Sequence, residues 1–191
     1  PLEETALALD ELVHEGKALY IGISNYDGKQ TAEITKIFND LNTPFVIHQP
    51  RYNMFDRHIE NDLFPVLKKE HKAAVSFSSL AQGLLTDKYL NGIPADSRAH
   101  KSTSPFLHEK QVDETINTVK KLNQVAADRG QTLAEMALAW NLREPEIASV
   151  LIGASRPEQL LDNVKALDNL KFSDEELKKI DDILATQKPI K

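Results

Sequence analysis

The segment 16–49, GKALYIGISNYDGKQTAEITKIFNDLNTPFVIHQ, decides the fold. Gly16 is a natural helix stop. Ala18–Ser24 (ALYIGIS) is short, mostly apolar and compatible with a β-strand. Asp27 then offers an N-cap with Gln30 three residues on, the spacing at which each side chain reaches the other's backbone N–H. Ile34, Ile37, Phe38 and Leu41 recur at helical spacing, and Asn42-Thr43-Pro44 breaks the pattern. Phe45–Gln49 (FVIHQ) reads as the next strand. Strands that alternate with helices predict a parallel sheet with right-handed crossovers.

The same rhythm continues on both sides. Leu2, Ala6, Leu9, Leu12 and Val13 share one helical face before Gly16. Ile59, Leu63, Val66 and Leu67 predict a third helix, with Pro65 in its first turn because deeper it would break a backbone bond. Ala73–Ser78 (AAVSFS) predicts a third strand. From Leu80 to about Leu107 no period is sustained, and Gly83, Gly92, Pro94 and Pro105 punctuate the segment. A loop of that length inside a compact domain is usually functional or mobile. Val112, Ile116, Val119, Leu122 and Ala126 form a long stripe closed near Gly130. Thr132 with Glu135 caps a helix carrying Leu133, Met136, Ala137 and Trp140. Ala148–Gly153 (ASVLIG) is the fourth predicted strand, followed by a helix marked by Leu160, Val164 and Leu167. Ser173 with Glu176 caps a last amphipathic helix.

The strands are apolar runs without clean alternation, as expected when both faces are covered. Two architectures fit: an open doubly wound sheet, or part of a (β/α)8 barrel. A whole barrel takes about 250 residues and eight strands, whereas this chain has 191 residues and four predicted strands. A dinucleotide-binding open sheet usually shows G-x-G-x-x-G after its first strand, and the seven glycines here are dispersed with no G-x-G. Length and the absence of a linker give one domain, 1–191.

Composition narrows the chemistry. The net charge of −6 argues against broad nucleic-acid binding. With no cysteine there is no disulfide framework, thiolate zinc site or cysteine nucleophile. The six histidines form neither H-x-x-x-H nor H-E-x-x-H, so no metal site is expected. His48, inside a strand run, reads as a hydrogen-bonded strand residue. There is no G-x-S-x-G nucleophile elbow. No apolar run approaches the ~20 residues of a membrane span. The absence of cysteine fits a reducing compartment and no basic-then-apolar leader is seen, so the expected location is cytoplasmic.

In parallel α/β folds ligands meet the carboxyl ends of strands. There the sequence puts Ser24-Asn25, Gln49, Phe77-Ser78 and Gly153-Ala154-Ser155. These are amide, hydroxyl and aromatic groups, suited to orienting a neutral amide or stacking on a ring. Gly153-Ala154-Ser155 leads into a helix near Pro157, where free backbone N–H groups favour an anion, and Arg156 sits beside them. Lys88 and Arg98 lie on the long loop and can meet a phosphate if it folds over.

These residues carry a resemblance. GKALYIGISNY (16–26), HQPRYNMFDR (48–57), FSSLAQGLLTDKYLNGIPADSRA (77–99), LAEMALAWNL (133–142) and SVLIGASRPEQLLDNV (149–164) resemble the C-terminal half of an aldo-keto reductase. The likeness is to the branch holding bacterial glyceraldehyde-3-phosphate reductase-like enzymes and potassium-channel β subunits. It implies a parallel (β/α) half-barrel, about strands 5–8 of a (β/α)8 TIM barrel plus a C-terminal helix, with NADPH as cofactor. By resemblance, Ser24, Asn25 and Gln49 match positions that hold the nicotinamide carboxamide. Phe77 matches the stacking aromatic, commonly Tyr or Trp. Ser78, Leu80, Gly83 and Lys88 match the loop over the pyrophosphate, with Arg98 further along this cofactor-covering segment of about 80–107. Gly153, Ser155, Arg156, Gln159 and Asn163 match the segment that grips the adenosine part and its 2′-phosphate. Asp162 stands where many relatives have Glu.

The family's catalytic Asp, Tyr, Lys and His lie on earlier strands. The resemblance therefore places them before Pro1, and no catalytic residue is assigned here. The expected function is NADPH-dependent reduction of a small carbonyl substrate by the full-length enzyme, with this chain as its cofactor-binding half. The alternatives are a non-catalytic NADPH-binding or interaction module, or a truncated remnant without activity. Open edges of a half-barrel predict a homodimer or a marginally stable monomer.

Overall fold

The computed structural model describes residues 1–95, 97, 99–100 and 107–187. They divide into two compact units. The first comprises Pro1–Tyr52, Arg57–Phe77 and Pro145–Val150. The second comprises Asn53–Asp56, Ser78–Glu144 and Leu151–Lys191.

The first unit holds the sheet. Its strands are β1 (Ile21–Ser24), β2 (Phe45–Gln49), β3 (Ala73–Ser76) and β4 (Ile147–Val150), all parallel and in the order β1-β2-β3-β4. That order separates the two architectures left open by the sequence. A doubly wound sheet reverses its strand order at a switch point, whereas a barrel keeps neighbours in chain order. Three helices accompany the strands: α1 (Leu2–His14), α2 (Gly28–Leu41) and α3 (Leu63–Lys69). One core cluster is Ala6 of α1, Ile34 and Phe38 of α2, and Ile21, Ile23 and Phe45 of the sheet. Phe38 and Phe45 lie with ring centroids 5.5 Å apart.

The Asp27–Gln30 capping box forms as predicted, with Gln30 N–H donating to Asp27 Oδ1 at 2.7 Å. A second carboxylate reaches the same helix start, where Gly28 N–H donates to Asp62 Oδ2 at 2.7 Å. A Cβ on Gly28 would run into the Asp62 carbonyl oxygen, so only glycine fits that approach.

β1 and β2 pair with a bulge. Ile21 is opposite Phe45 but Gly22 is opposite Ile47, which leaves Val46 without a partner on β1. Beyond the bulge Ile23 pairs with His48 and Ser24 with Gln49. Burial alternates along β1, with Ile21 and Ile23 buried and Gly22 and Ser24 exposed. The register therefore puts His48 on the buried side and Gln49 with Ser24 on the open one.

Three strands are shorter than the sequence predicts. β3 ends at Ser76 because Ser78 takes a left-handed conformation (φ 56°) that cannot continue a ladder. Phe77 keeps one parallel bridge to Arg51. β1 begins at Ile21, leaving Leu19 and Tyr20 exposed. β4 spans Ile147–Val150 where the sequence suggests 148–153.

The second unit is helical: α4 (Glu109–Asp128), α5 (Leu133–Leu142), α6 (Pro157–Val164) and α7 (Asp174–Ala185). α5 packs against α4 and α6, and α4 against α7. α5 is buried almost all round, Trp140 and Met136 included. Gly130 closes α4 with φ 69°, and the boxes at Thr132–Glu135 and Ser173–Glu176 both form. Within the long segment after β3, Ala81–Gly83 and Asp87–Tyr89 make single 3-10 turns, and Leu84, Leu85 and Tyr89 are buried. Among the described residues no helix is long and apolar enough to cross a membrane.

Candidate functional site

In the first unit the carboxyl ends of β1 and β2 form one hydrogen-bonded turn. Ser24 Oγ donates to the Gln49 carbonyl at 2.8 Å, and Asn25 N–H donates to the same oxygen at 3.2 Å. Asn25 is left-handed, φ 56°, a conformation Asn tolerates better than most residues. Its Oδ1 accepts from Arg51 N–H at 3.2 Å. The next residue, Tyr26, donates its N–H to His48 Nε2 at 3.2 Å. Ser24 and Asn25 are exposed and Gln49 is half-buried. Among the described residues Asn25 Nδ2 and the Gln49 side-chain amide have no hydrogen-bond partner. Phe77 is half-buried, and its backbone is held at both groups by Pro50 O and Tyr52 N–H.

His48 is fully buried. Loss of solvent pushes its pKa down from 6.5 to about 4. The ring is therefore neutral at physiological pH, and because Nε2 accepts, the proton belongs on Nδ1.

In the second unit the segment after Phe77 is bent by four positive φ values, at Ser78 (56°), Ala81 (46°), Gln82 (60°) and Gly83 (96°). Three of these are not glycine, and such strain collects where function over-determines the backbone. Three bonds hold Ser78: Asn53 Nδ2 and Ala81 N–H donate to its carbonyl at 3.0 and 2.8 Å, and Gln82 Nε2 donates to its Oγ at 3.1 Å. Asn53 Oδ1 also accepts from Phe55 N–H at 2.9 Å, an Asx turn. Leu80 O accepts from Gly83 and Leu85 N–H. Lys88 is exposed, its Nζ 6.0 Å from the Tyr89 ring centre. Arg98 lies outside the described residues.

Also in the second unit, Gly153–Arg156 is exposed and leads into α6, whose first residue is Pro157. Gln159 Oε1 accepts from Ser155 N–H at 2.9 Å and Ser155 Oγ at 3.0 Å. A Cβ on Gly153 would meet nothing within 4 Å. Arg156 makes no ion pair among the described residues. Asn163 is the one buried residue of α6.

The structure thus gathers Ser24, Asn25 and Gln49 into one turn with Phe77 in the same unit. It gathers Gly153, Ser155, Arg156 and Gln159 at one helix start. The sequence reading missed Asn53 and the anchoring role of Asp62. An Asn two residues before Phe55 carries a legible Asx-turn signal; Asp62 is a purely tertiary partner.

Comparison with known proteins gives the class. Residues 1–185 match the aldo/keto reductase family model, and the chain belongs to that family. It is 46% identical over 189 residues to an L-glyceraldehyde 3-phosphate reductase of Escherichia coli O157:H7, covering 97% of this chain and 55% of that protein. It is 37% identical to a probable voltage-gated potassium channel subunit beta of Oryza sativa, covering 88% of this chain and 52% of that one. Among solved structures it matches the glycerol dehydrogenase of Gluconobacter oxydans, with TM-score 0.79, 28% identity and coverage of 100% of this chain and 56% of the other. The chain spans about half the length of the curated relatives it matches. The parallel α/β fold is the one expected, a run of consecutive strands from an aldo-keto reductase barrel.

Proposed function

We propose that this chain is the cofactor-binding half of an NADPH-dependent aldo-keto reductase whose complete form reduces an aldehyde or ketone to an alcohol. The supporting observation is the unspent hydrogen-bonding capacity at the ends of β1 and β2. The Ser24 hydroxyl gives its proton to the Gln49 carbonyl, so it is left to accept. Asn25 Oδ1 is engaged by Arg51, so it offers Nδ2 as a donor. The Gln49 amide can do both. A ligand carboxamide carries one carbonyl acceptor and one amino donor, and these three uncharged side chains complement it.

Bound NADPH would supply the hydride chemistry. The chain's own residues bind and orient. Phe77 offers a ring face, without the polar atom that Tyr or Trp would add. Ser78, Leu80 and Gly83 carry the bent backbone assigned to the pyrophosphate, with Lys88 as a nearby cation. Gly153 and Ser155 at the start of α6, with Arg156 and Gln159, suit the adenosine 2′-phosphate, since a helix N-terminus and a guanidinium both favour an anion. The name of the Escherichia coli relative supports an aldehyde as substrate of the whole enzyme.

Fluorescence titration of the purified chain with NADPH tests the proposal. Saturable binding is expected, and its absence would remove the basis of the reading. A second reading, a binding module without turnover, is favoured by the likeness to the rice channel subunit. An NADPH-oxidation assay with a reactive aldehyde bears on both. The chain by itself is expected to show no turnover, because none of its residues is assigned the proton-donating role. β1 and β4 are the edges of the sheet, which supports self-association through strand edges. A monodisperse monomer in sedimentation would contradict that.

A further inference from the structure

The group that the binding reading leaves unused is His48. It is fully buried, it lies in register between Ile23 of β1 and Ala74 of β3, and its Nδ1 has no hydrogen-bond partner among the described residues. A buried polar atom without a partner is costly. An apolar side chain of similar size would avoid that cost, so the other ring nitrogen must return something.

What Nε2 does is accept from Tyr26 N–H at 3.2 Å. Tyr26 directly follows Asn25, whose left-handed backbone (φ 56°) is intrinsically unfavourable and needs neighbours to hold it. Upstream the turn is tied by Ser24 Oγ and Asn25 N–H to Gln49 O, and Arg51 N–H ties the Asn25 side chain. The Tyr26 bond ties it downstream, and the tie comes from beneath the sheet's open face.

We propose that His48 is a positioning residue for the carboxamide-binding turn: in its Nδ1–H tautomer it acts through Tyr26 to hold Ser24 and Asn25 in their ligand-facing geometry. It touches no ligand itself. This rests on the cofactor-binding reading above. The low pKa of the ring keeps Nε2 available as an acceptor through the physiological range.

Two variants and one spectrum test it. H48L removes the acceptor and the orphan nitrogen together. H48Q keeps an acceptor near the Nε2 position. H48L is expected to weaken NADPH binding about tenfold, the usual scale for one lost hydrogen bond in a preorganised site, with a melting temperature close to that of the unmodified chain. H48Q is expected to restore binding to within about twofold. Amide exchange at Tyr26 should quicken in H48L and recover in H48Q. In the unmodified chain, imidazole ¹⁵N shifts should report the Nδ1–H tautomer. Unchanged NADPH affinity in H48L would overturn the proposal, as would an Nε2–H tautomer or equal losses in H48L and H48Q. If the unmodified chain fails to bind NADPH, the cofactor reading falls. The tautomer and the Tyr26 exchange rates then decide whether His48 holds the turn.

Discussion

The turn joining the ends of β1 and β2 and the entry to α6 are built oppositely. At the first, Ser24, Asn25, Tyr26 and Arg51 are each tied to β2 or to one another by a hydrogen bond that crosses between chain segments. At the second, among the described residues, Ser155 bonds only to Gln159, four residues on, and Gly153 has open space around it. The first is held by the sheet before any ligand arrives. The second leaves the Arg156 side chain exposed beside a local Ser155–Gln159 pair. Changes at the turn should therefore be read in stability and binding together, except H48L, where losing the orphaned Nδ1 offsets the lost bond, and changes at the helix entry in binding alone.

The largest expected effect is on the first region's foundation. Gly28→Val pushes a branched side chain into the Asp62 backbone beside the α2 capping bond, and should lower the unfolding free energy by about 3 kcal/mol. Urea denaturation measures it; an unchanged midpoint would show that the close approach relaxes freely.

The acid response comes next. Folded His48 has a pKa of about 4 against 6.5 for a free ring. Between those values the unfolded chain holds the extra proton and the folded chain does not. This contribution to stability is complete above about pH 6.5 and is lost as pH falls toward 4, on the order of 3 kcal/mol in all. The segment Gly153–Gln159 contains no histidine to add to it. Urea midpoints at pH 7 and pH 4.5 should fall less in H48Q than in the unmodified chain; an equal fall would assign the acid sensitivity elsewhere.

Arg156→Ala sharpens the contrast from the other side. It should weaken NADPH binding about tenfold and flatten its salt dependence, with no measurable change in melting temperature. A loss of stability would mean that the helix entry is held as firmly as the turn. Ser24→Ala removes the bond to Gln49 O and should cost about 1 kcal/mol of stability as well as NADPH affinity. Gly153→Ala, with nothing for its Cβ to meet, should shift stability by less than about 0.5 kcal/mol.

Much of this molecule is legible because its signals are local. The capping pairs Asp27–Gln30, Thr132–Glu135 and Ser173–Glu176 each sit within one helical turn, and all three form. Helical stripes and apolar strand runs likewise need only neighbours in sequence, which is why the order of elements matches the prediction. Strand ends were less readable. Nothing in AAVSFS announces that Ser78 will turn left-handed and end β3 at Ser76.

The amino-acid sequence by itself determined the alternation of strands and helices, the caps, and which polar residues stand at the strand ends. Tertiary structure alone decided what those residues do to one another. The bulge at Val46 shifts β2 by one residue, so that Ser24 meets Gln49 while His48 is buried beside Ile23. Without that shift Ser24 would sit opposite His48. Strand faces alternate with every residue, and register depends on contacts between segments far apart in the chain. No local pattern carries that information.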